Sequence, residues 1–194
     1  VFREPLWSGG AGQWRRWAGQ MYAEFGRVDV SEVKRYANLA SLGIDLRAGS
    51  GALRVWADVS GGQITGGTAD VALLAVDAQL GKALQPLALQ AVSGRFGGRQ
   101  FANGFEFATE GLQFRTRDGL QWPGGNVSLV YTGAEGKAAA RGEFRADKLD
   151  LAALAMIASR LPLGDAAHAM LTSLTPRGLV DVVEARWQGA LDAP

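Results

Sequence analysis

The sequence predicts a β-rich α+β fold: a strongly curved, mostly antiparallel sheet of about eight to ten strands with two or three short helices. Three observations predict this fold. Short runs alternate apolar and polar residues, as half-buried strands do. Turn residues separate these runs about every eight to twelve residues, a spacing typical of an antiparallel meander. Glycine accounts for 27 of the 194 residues, roughly twice its usual share of about 7%, and many glycines stand between the runs.

The middle of the chain supplies most of the predicted strands. GALRVWADV (51–59) is the clearest, because Leu53 and Val55 fall on one face while Arg54 and Asp58 fall on the other. The remaining predicted strands cover residues 69–80, 86–94, 104–109, 126–131, 138–146 and 178–189.

A hairpin is predicted in LQFRTRDGLQW (112–122). Asp118-Gly119 stands between two alternating runs, where it suits a type I′ turn with φ > 0 at both central residues. Asn126-Val127-Ser128 is formally a glycosylation acceptor, but it falls in a predicted strand.

Three segments show helical spacing instead. Ser31, Asp150 and Asp165 are placed to cap them at their N-termini. The second helix has no charge from Leu151 to Ser159, and a helix apolar on nearly every side must be covered on more than one side. We expect it to plug the end of a curved sheet, to lie on its concave side, or to be an ordinary core helix. The third helix carries an apolar stripe of Ala167, Met170, Leu171 and Leu174.

The domain organisation is predicted as a single domain over 1–194, excised from a longer protein because the chain begins at Val1. Residues 19–56 have an internal echo in 142–187, in which a strand, an apolar–Asp–apolar step, a helix and a second strand with a Trp follow in the same order. A true repeat would be a unit that a longer protein could stack.

Composition argues against several classes of site. A net charge of +1 without a basic stripe gives no support for nucleic-acid binding, and the absence of cysteine removes thiolate sites. We expect neither cofactor nor metal. His168, the single histidine, is expected on the solvent side of its helix. A glycosidase pair could lie among five strand carboxylates, although their alternation predicts a solvated face: Asp58, Asp70, Asp77, Glu106 and Glu143.

Apolar and aromatic residues give the better candidates for a binding site. Trp14 and Trp17 flank two arginines, a combination that suits a membrane or lipid interface, or simply a strand with its aromatics inward. The inward faces of the strands could line one apolar groove for acyl chains, or form a core covered by helices. The candidate groove residues are Leu53, Val55, Leu73, Leu89, Phe105, Phe107, Leu112, Phe114, Leu129 and Tyr131.

Several segments resemble the central domain of YhdP-like proteins, which belong to the AsmA-like group of Gram-negative bacteria. The resemblance covers most of the chain and rests on patterned segments without a catalytic motif. The segments are 15–39, 51–59, 68–81, 85–96, 116–131 and 140–180, the last including ARGEFRADKLDLAALAMIASRLPLGD.

The resemblance implies a non-enzymatic periplasmic segment of an inner-membrane-anchored protein that takes part in phospholipid transport to the outer membrane through an apolar groove. Its implied partners are phospholipid acyl chains, flanking domains of the parent chain, and the membrane through an anchor outside this sequence. The alternative expectation is a structural or interaction scaffold of the cell envelope with a closed core. A glycosidase-like enzyme is a third hypothesis, and it requires two inward carboxylates in one cleft.

Overall fold

The computed structural model describes residues 2–3, 18–30, 45–122, 124–136, 138–161, 163, 165–174 and 176–189. Within these residues, ten strands form one sheet, and two helices and a 3₁₀ turn lie between the last two strands. The strands are β1 Phe2–Arg3, β2 Ala18–Asp29, β3 Asp45–Ser60, β4 Gln63–Gln79, β5 Leu87–Phe101, β6 Gly104–Thr116, β7 Gln121–Trp122, β8 Val127–Thr132, β9 Arg141–Asp150 and β10 Leu179–Gln188. The helices are α1 Leu151–Ile157, the 3₁₀ turn Ala158–Arg160, and α2 Asp165–Leu174.

Strand order in the sheet follows chain order. The path runs β1-β2-β3-β4-β5-β6-β8-β9-β10, with the short β7 paired to β6, and every pairing is antiparallel. This architecture confirms the predicted β-rich α+β class. The two ends of the path, β1 and β10, are not paired with each other.

The central strands are longer than the alternation predicted. Residues 104–109 and the first arm of the 112–122 hairpin were predicted as separate strands, but β6 runs through both, from Gly104 to Thr116. Gly111 joins them with a φ of +60°, and the register against β5 shifts between Ser93 and Arg95. A bulge of this kind lets the strand continue while it bends, so a break in the alternation does not have to be a turn.

The hairpin around Asp118 is present, but the predicted type I′ turn is wrong. Gly119 has positive φ, +94°, whereas Asp118 does not. The Gly119 N–H donates to the Thr116 carbonyl at 3.2 Å, and the Thr116 N–H donates to the Leu120 carbonyl at 2.9 Å. The loop therefore has three residues, 117–119, ending on a glycine, which is the next most common way to close a hairpin.

Helix α1 begins where the sequence predicts. The Asp150 carboxylate accepts hydrogen bonds from the Ala152 and Ala153 amides, both at 3.0 Å, and so satisfies two amides that have no partner within the helix. Ile157 is 2% exposed and Ala158 is fully buried, so the end of α1 lies inside the core.

Helix α2 presents less of its apolar stripe to the protein than predicted. Leu171 is buried at 7% exposure, but Met170 and Leu174 are 58% and 64% exposed. Two of these predicted inward residues therefore face solvent, because α2 packs on one side only. The helix predicted after Ser31 lies outside the described residues.

Two clusters of buried side chains form the core. The first lies between the strand ends near Val30 and contains Val30, Leu73, Val76, Ala78, Leu87 and Leu89. The second lies under α1 and contains Leu120, Trp122, Ala146, Leu149, Ala153 and Ile157. Phe114 packs against both clusters, so the two are continuous through one side chain.

Candidate functional site

The register of the sheet separates its two faces by chemistry. Residues directly opposite each other on antiparallel strands share a face, so each row of partners can be followed across the sheet. One row, starting at Met21, crosses eight strands without a charged residue: Met21, Ala57, Gly67, Gly98, Phe107, Leu129, Phe144 and Ala185. The next row on this face is also uncharged: Ala23, Val55, Ala69, Phe96, Thr109, Val127, Ala146 and Val183. We call this side the apolar face.

The opposite side, the polar face, carries cross-strand ion pairs. Arg95 donates two hydrogen bonds, of 2.6 and 3.1 Å, to the Asp70 carboxylate, and Arg54 donates one of 2.9 Å to Glu24. Three further pairs continue the pattern toward β10: Arg99–Glu106 at 3.4 Å, Arg186–Glu143 at 3.0 Å and Arg145–Glu184 at 3.0 Å.

These pairs shift the titration of their carboxylates. Hydrogen bonds from the Tyr22 hydroxyl (2.6 Å) and from Arg54 hold the pKa of Glu24 below its ordinary value. The hydrogen bonds from Arg95 lower the pKa of Asp70 in the same way. Both carboxylates therefore remain charged at a lower pH than free carboxylates do, as suits a solvated face.

The apolar face is covered over one half only. Near Val30 and under α1, its residues belong to the first and second core clusters, respectively. Beyond them, no described helix covers the strands, and Met21, Phe25 and Phe107 are 40%, 45% and 39% exposed. We call this second half the open apolar face. Its large side chains are Met21, Phe25, Leu53, Val55, Phe96, Phe105, Phe107, Leu129, Tyr131 and Trp187.

All ten predicted groove residues lie on the apolar face. Six of them belong to the open apolar face: Leu53, Val55, Phe105, Phe107, Leu129 and Tyr131. Leu73 and Leu89 are buried in the first cluster, while Leu112 and Phe114 pack against the second. Their role in binding a ligand stays a prediction.

Four large residues of the open apolar face were not predicted. Met21 and Phe25 alternate with charged and polar residues in AGQMYAEF, so the period-two signal was available in that segment. Phe96 was missed because the predicted strand ended at residue 94. The indole ring of Trp187 lies directly against Gly142 on β9, and a Cβ atom at position 142 would collide with the ring.

The other candidate residues from the sequence give less support for a binding or catalytic site. Four of the five candidate carboxylates are engaged on the polar face: Asp58 with Gln20, Asp70 with Arg95, Glu106 with Arg99, and Glu143 with Arg186. The fifth, Asp77, is half-buried. His168 is half-buried rather than exposed. Trp14 and Trp17 lie outside the described residues.

Asn126 has its side chain occupied within the sheet. Its oxygen accepts from the Gly111 amide at 2.9 Å, and its nitrogen donates to Asp147 at 2.9 Å. The side chain thus bridges β6 and β9 where β8 begins, which gives the residue a structural role.

Two hollows between side chains lie on the polar face. One of about 370 Å³ has a floor of Thr68, Gly97, Ala108 and Ser128, and one of about 620 Å³ lies beside Arg186. A third hollow, of about 970 Å³, lies among residues of β4, β5, β6 and β7. The open apolar face is a broad surface, since Met21, Phe25 and Phe107 are 39–45% exposed. Among the described residues, no group of three His, Asp or Glu side chains is placed to hold a metal. No described helix is long and apolar enough to span a membrane.

Comparison with known proteins identifies the family. The model of the family described as YhdP protein matches residues 7–193, nearly the whole chain. The chain belongs to the YhdP family. No curated protein and no solved structure matches it. Membership in the YhdP family, an envelope protein family, suggests a role in envelope lipid transport and agrees with the resemblance read from the sequence.

Proposed function

We propose that this YhdP-family chain is a non-enzymatic periplasmic segment of an inner-membrane-anchored protein, and that its open apolar face shelters phospholipid acyl chains on their way to the outer membrane. The observation that supports the proposal is the pair of uncharged rows that crosses eight strands of the apolar face. No described helix covers one half of this face. An apolar surface of this breadth is unusual on a soluble protein unless it binds something.

The physical basis of binding is the removal of hydrocarbon from water. Each CH₂ group of an acyl chain that lies against the open apolar face gains roughly 0.8 kcal/mol. The headgroup would remain in water at the rim, because the two complete rows of the apolar face offer no charged side chain to hold it. Without a strong polar anchor, a lipid is free to slide along the face, which is what passive conduction requires.

A scaffold of the cell envelope with a closed core is the second candidate. The observation that favours it is the coverage of half of the apolar face by α1 and the two core clusters. In that case the open half would bind a protein surface rather than lipid.

Lipid extraction and native mass spectrometry of the purified chain, expressed in the periplasm of Gram-negative cells, separate the two candidates. We expect phospholipid to copurify, and we expect Phe107→Asp to abolish this copurification. Trp56→Asp is the matched control, because Trp56 is also aromatic and is 38% exposed, close to the 39% of Phe107, but lies on the polar face between the uncharged Tyr22 and Thr68. A folded, lipid-free chain, or equal loss of lipid in both variants, would contradict the proposal.

A further inference from the structure

We propose that the polar face carries a second binding site, whose ligand is an uncharged glycan chain. The exposed rings of Tyr22 and Trp56, which we call the aromatic platform, would stack on one sugar, and the hollow of about 370 Å³ beside them would hold the next. The inference is independent of the proposed function, because the site lies on the opposite side of the sheet from the open apolar face.

The aromatic platform stands exposed among the charges of the polar face. Trp56 is 38% and Tyr22 53% exposed, and their ring centroids lie 5.3 Å apart. The Arg95 guanidinium lies 5.9 Å from the centre of the Trp56 ring, and the Tyr22 hydroxyl donates to Glu24 at 2.6 Å. Both rings are therefore held in place before a ligand arrives, which lowers the entropic cost of binding. Flat rings with polar groups at their margin suit a sugar, whose C–H face is apolar and whose edge carries hydroxyls.

The hollow begins directly beside Trp56. Its floor crosses four strands in register, with Thr68 opposite Trp56, followed by Gly97, Ala108 and Ser128. These small residues leave a depression that spans three strand spacings, roughly 14 Å. The volume of about 370 Å³ falls within the range of roughly 300–1,000 Å³ that is typical of small-ligand sites.

The sides of the hollow carry charges that are already balanced. Asp70 and Arg95 lie two residues from the floor on one side, and Arg99 and Glu106 lie two residues from it on the other. Each arginine is paired with the carboxylate of its own side. Because complementary charge is what draws an ionic ligand to a site, these balanced sides favour an uncharged ligand over an anion such as a phosphate.

The hydrogen-bonding groups of the hollow belong to side chains. Each floor strand is paired on both sides, so its backbone groups are engaged in the sheet and a peptide could not add here as a further strand. The hydroxyls of Thr68 and Ser128 each have one donor and two acceptor positions, and the carboxylates of Asp70 and Glu106 have lone pairs beyond those that the arginines use. Sugar hydroxyls also donate and accept, so an uncharged glycan matches this mixture.

Isothermal titration calorimetry of the chain tests the proposal with three uncharged tetrasaccharides: the tetramer of N-acetylglucosamine, cellotetraose and maltotetraose. We expect at least one of them to bind. We expect Trp56→Ala to weaken this binding by about tenfold or more, as the loss of an aromatic anchor does. Ala108→Leu fills the floor and leaves the aromatic platform unchanged, and it should weaken the same binding.

Phe101→Ala is the matched control. Phe101 is aromatic, 37% exposed and on the polar face, but it lies four residues along β5 from Gly97, roughly 13 Å away. We expect this variant to bind as the unsubstituted chain does. Failure of all three sugars to bind would overturn the proposal, as would an unchanged affinity in Trp56→Ala or an equal loss in Phe101→Ala. Binding of a single-stranded oligonucleotide in place of the sugars would assign the rings to bases and would overturn it too.

Discussion

Phe107 and Phe114 lie on one strand and one face, yet their surroundings differ. Phe114 stacks on Trp122 with ring centroids 5.5 Å apart and an angle of 9°, and it packs against both core clusters. Phe107 is 39% exposed, beyond the covered half. The same residue type therefore has a structural role at one position and is available for binding at the other.

Alanine substitution should separate these roles. We expect Phe114→Ala to lower the free energy of unfolding by about 2–4 kcal/mol, because it opens a cavity between the two clusters. Phe107→Ala should lower it by less than about 1 kcal/mol, as exposed substitutions do. Urea unfolding followed by circular dichroism measures both, and equal losses would contradict this assignment.

The ion pairs of the polar face make stability depend on pH. The pKa values of Glu24 and Asp70 lie below their ordinary values of 4.5 and 3.8 in the folded chain, and unfolding returns them to those values. As pH falls, the unfolded chain therefore takes up protons before the folded chain does. The stabilisation from these pairs is fully present above the ordinary pKa values and is lost as pH falls through the lower pKa values of the folded chain.

We expect the urea midpoint of unfolding to fall between about pH 5 and pH 3 for this reason. A Glu24→Gln, Asp70→Asn double variant should show a shallower fall over the same range, since it has lost two of the responsible carboxylates. Identical pH profiles for the variant and the unsubstituted chain would show that these pairs do not contribute.

Local alternation predicted which residues share a face, because a period of two depends only on neighbouring positions. All ten predicted groove residues lie on the apolar face for that reason. It could not predict that Leu73 and Leu89 are buried while Leu53 and Val55 remain half-buried. What covers a strand is decided by elements far away in the sequence.

At the scale of elements, α1 determines how much of the apolar face is covered. It is fastened at both ends of its segment. Asp150 caps its start, and after its end Arg160 donates to Asp118 at 2.9 Å while the Gln85 amide donates to the Ser159 carbonyl at 3.0 Å. These contacts hold the segment against the ends of two hairpins.

The anchoring of α1 can be tested with two neighbouring residues. Ile157→Ala should lower the free energy of unfolding by about 2–5 kcal/mol, because Ile157 is 2% exposed in the second cluster. Met156→Ala should have little effect, since Met156 is 67% exposed on the same helix. Differential scanning calorimetry would give the comparison, and similar losses would mean that α1 packs differently.

The α1 cap was predictable because an aspartate before an apolar run satisfies free amides by a purely local contact. The orientation of α2 was not, since its stripe alone does not tell which residues meet a partner. The hairpin at Asp118 shows the same limit. The pair Asp-Gly predicted a turn, but its length depended on the Thr116 contacts with Leu120 and Gly119.

At the scale of the whole molecule, the sheet separates charge from hydrocarbon across its thickness. The ion pairs described above lie on the polar face, and the two complete rows of the apolar face contain no charge. Sequential hairpins produced this order, so the meander could be predicted from turn spacing. The internal echo of 19–56 in 142–187 stays a prediction. Trp56 lies on the polar face beside Tyr22, whereas Trp187 lies on the apolar face.

The central claim is that acyl chains lie on the open apolar face, and a fluorescent probe on either face tests it most directly. Single cysteines at Phe107→Cys and Val130→Cys, each labelled with bimane, report on opposite faces at matched exposure. Phospholipid with brominated acyl chains should quench the label at position 107 and leave the label at position 130 bright. Equal quenching at both positions, or quenching at 130 alone, would contradict the account.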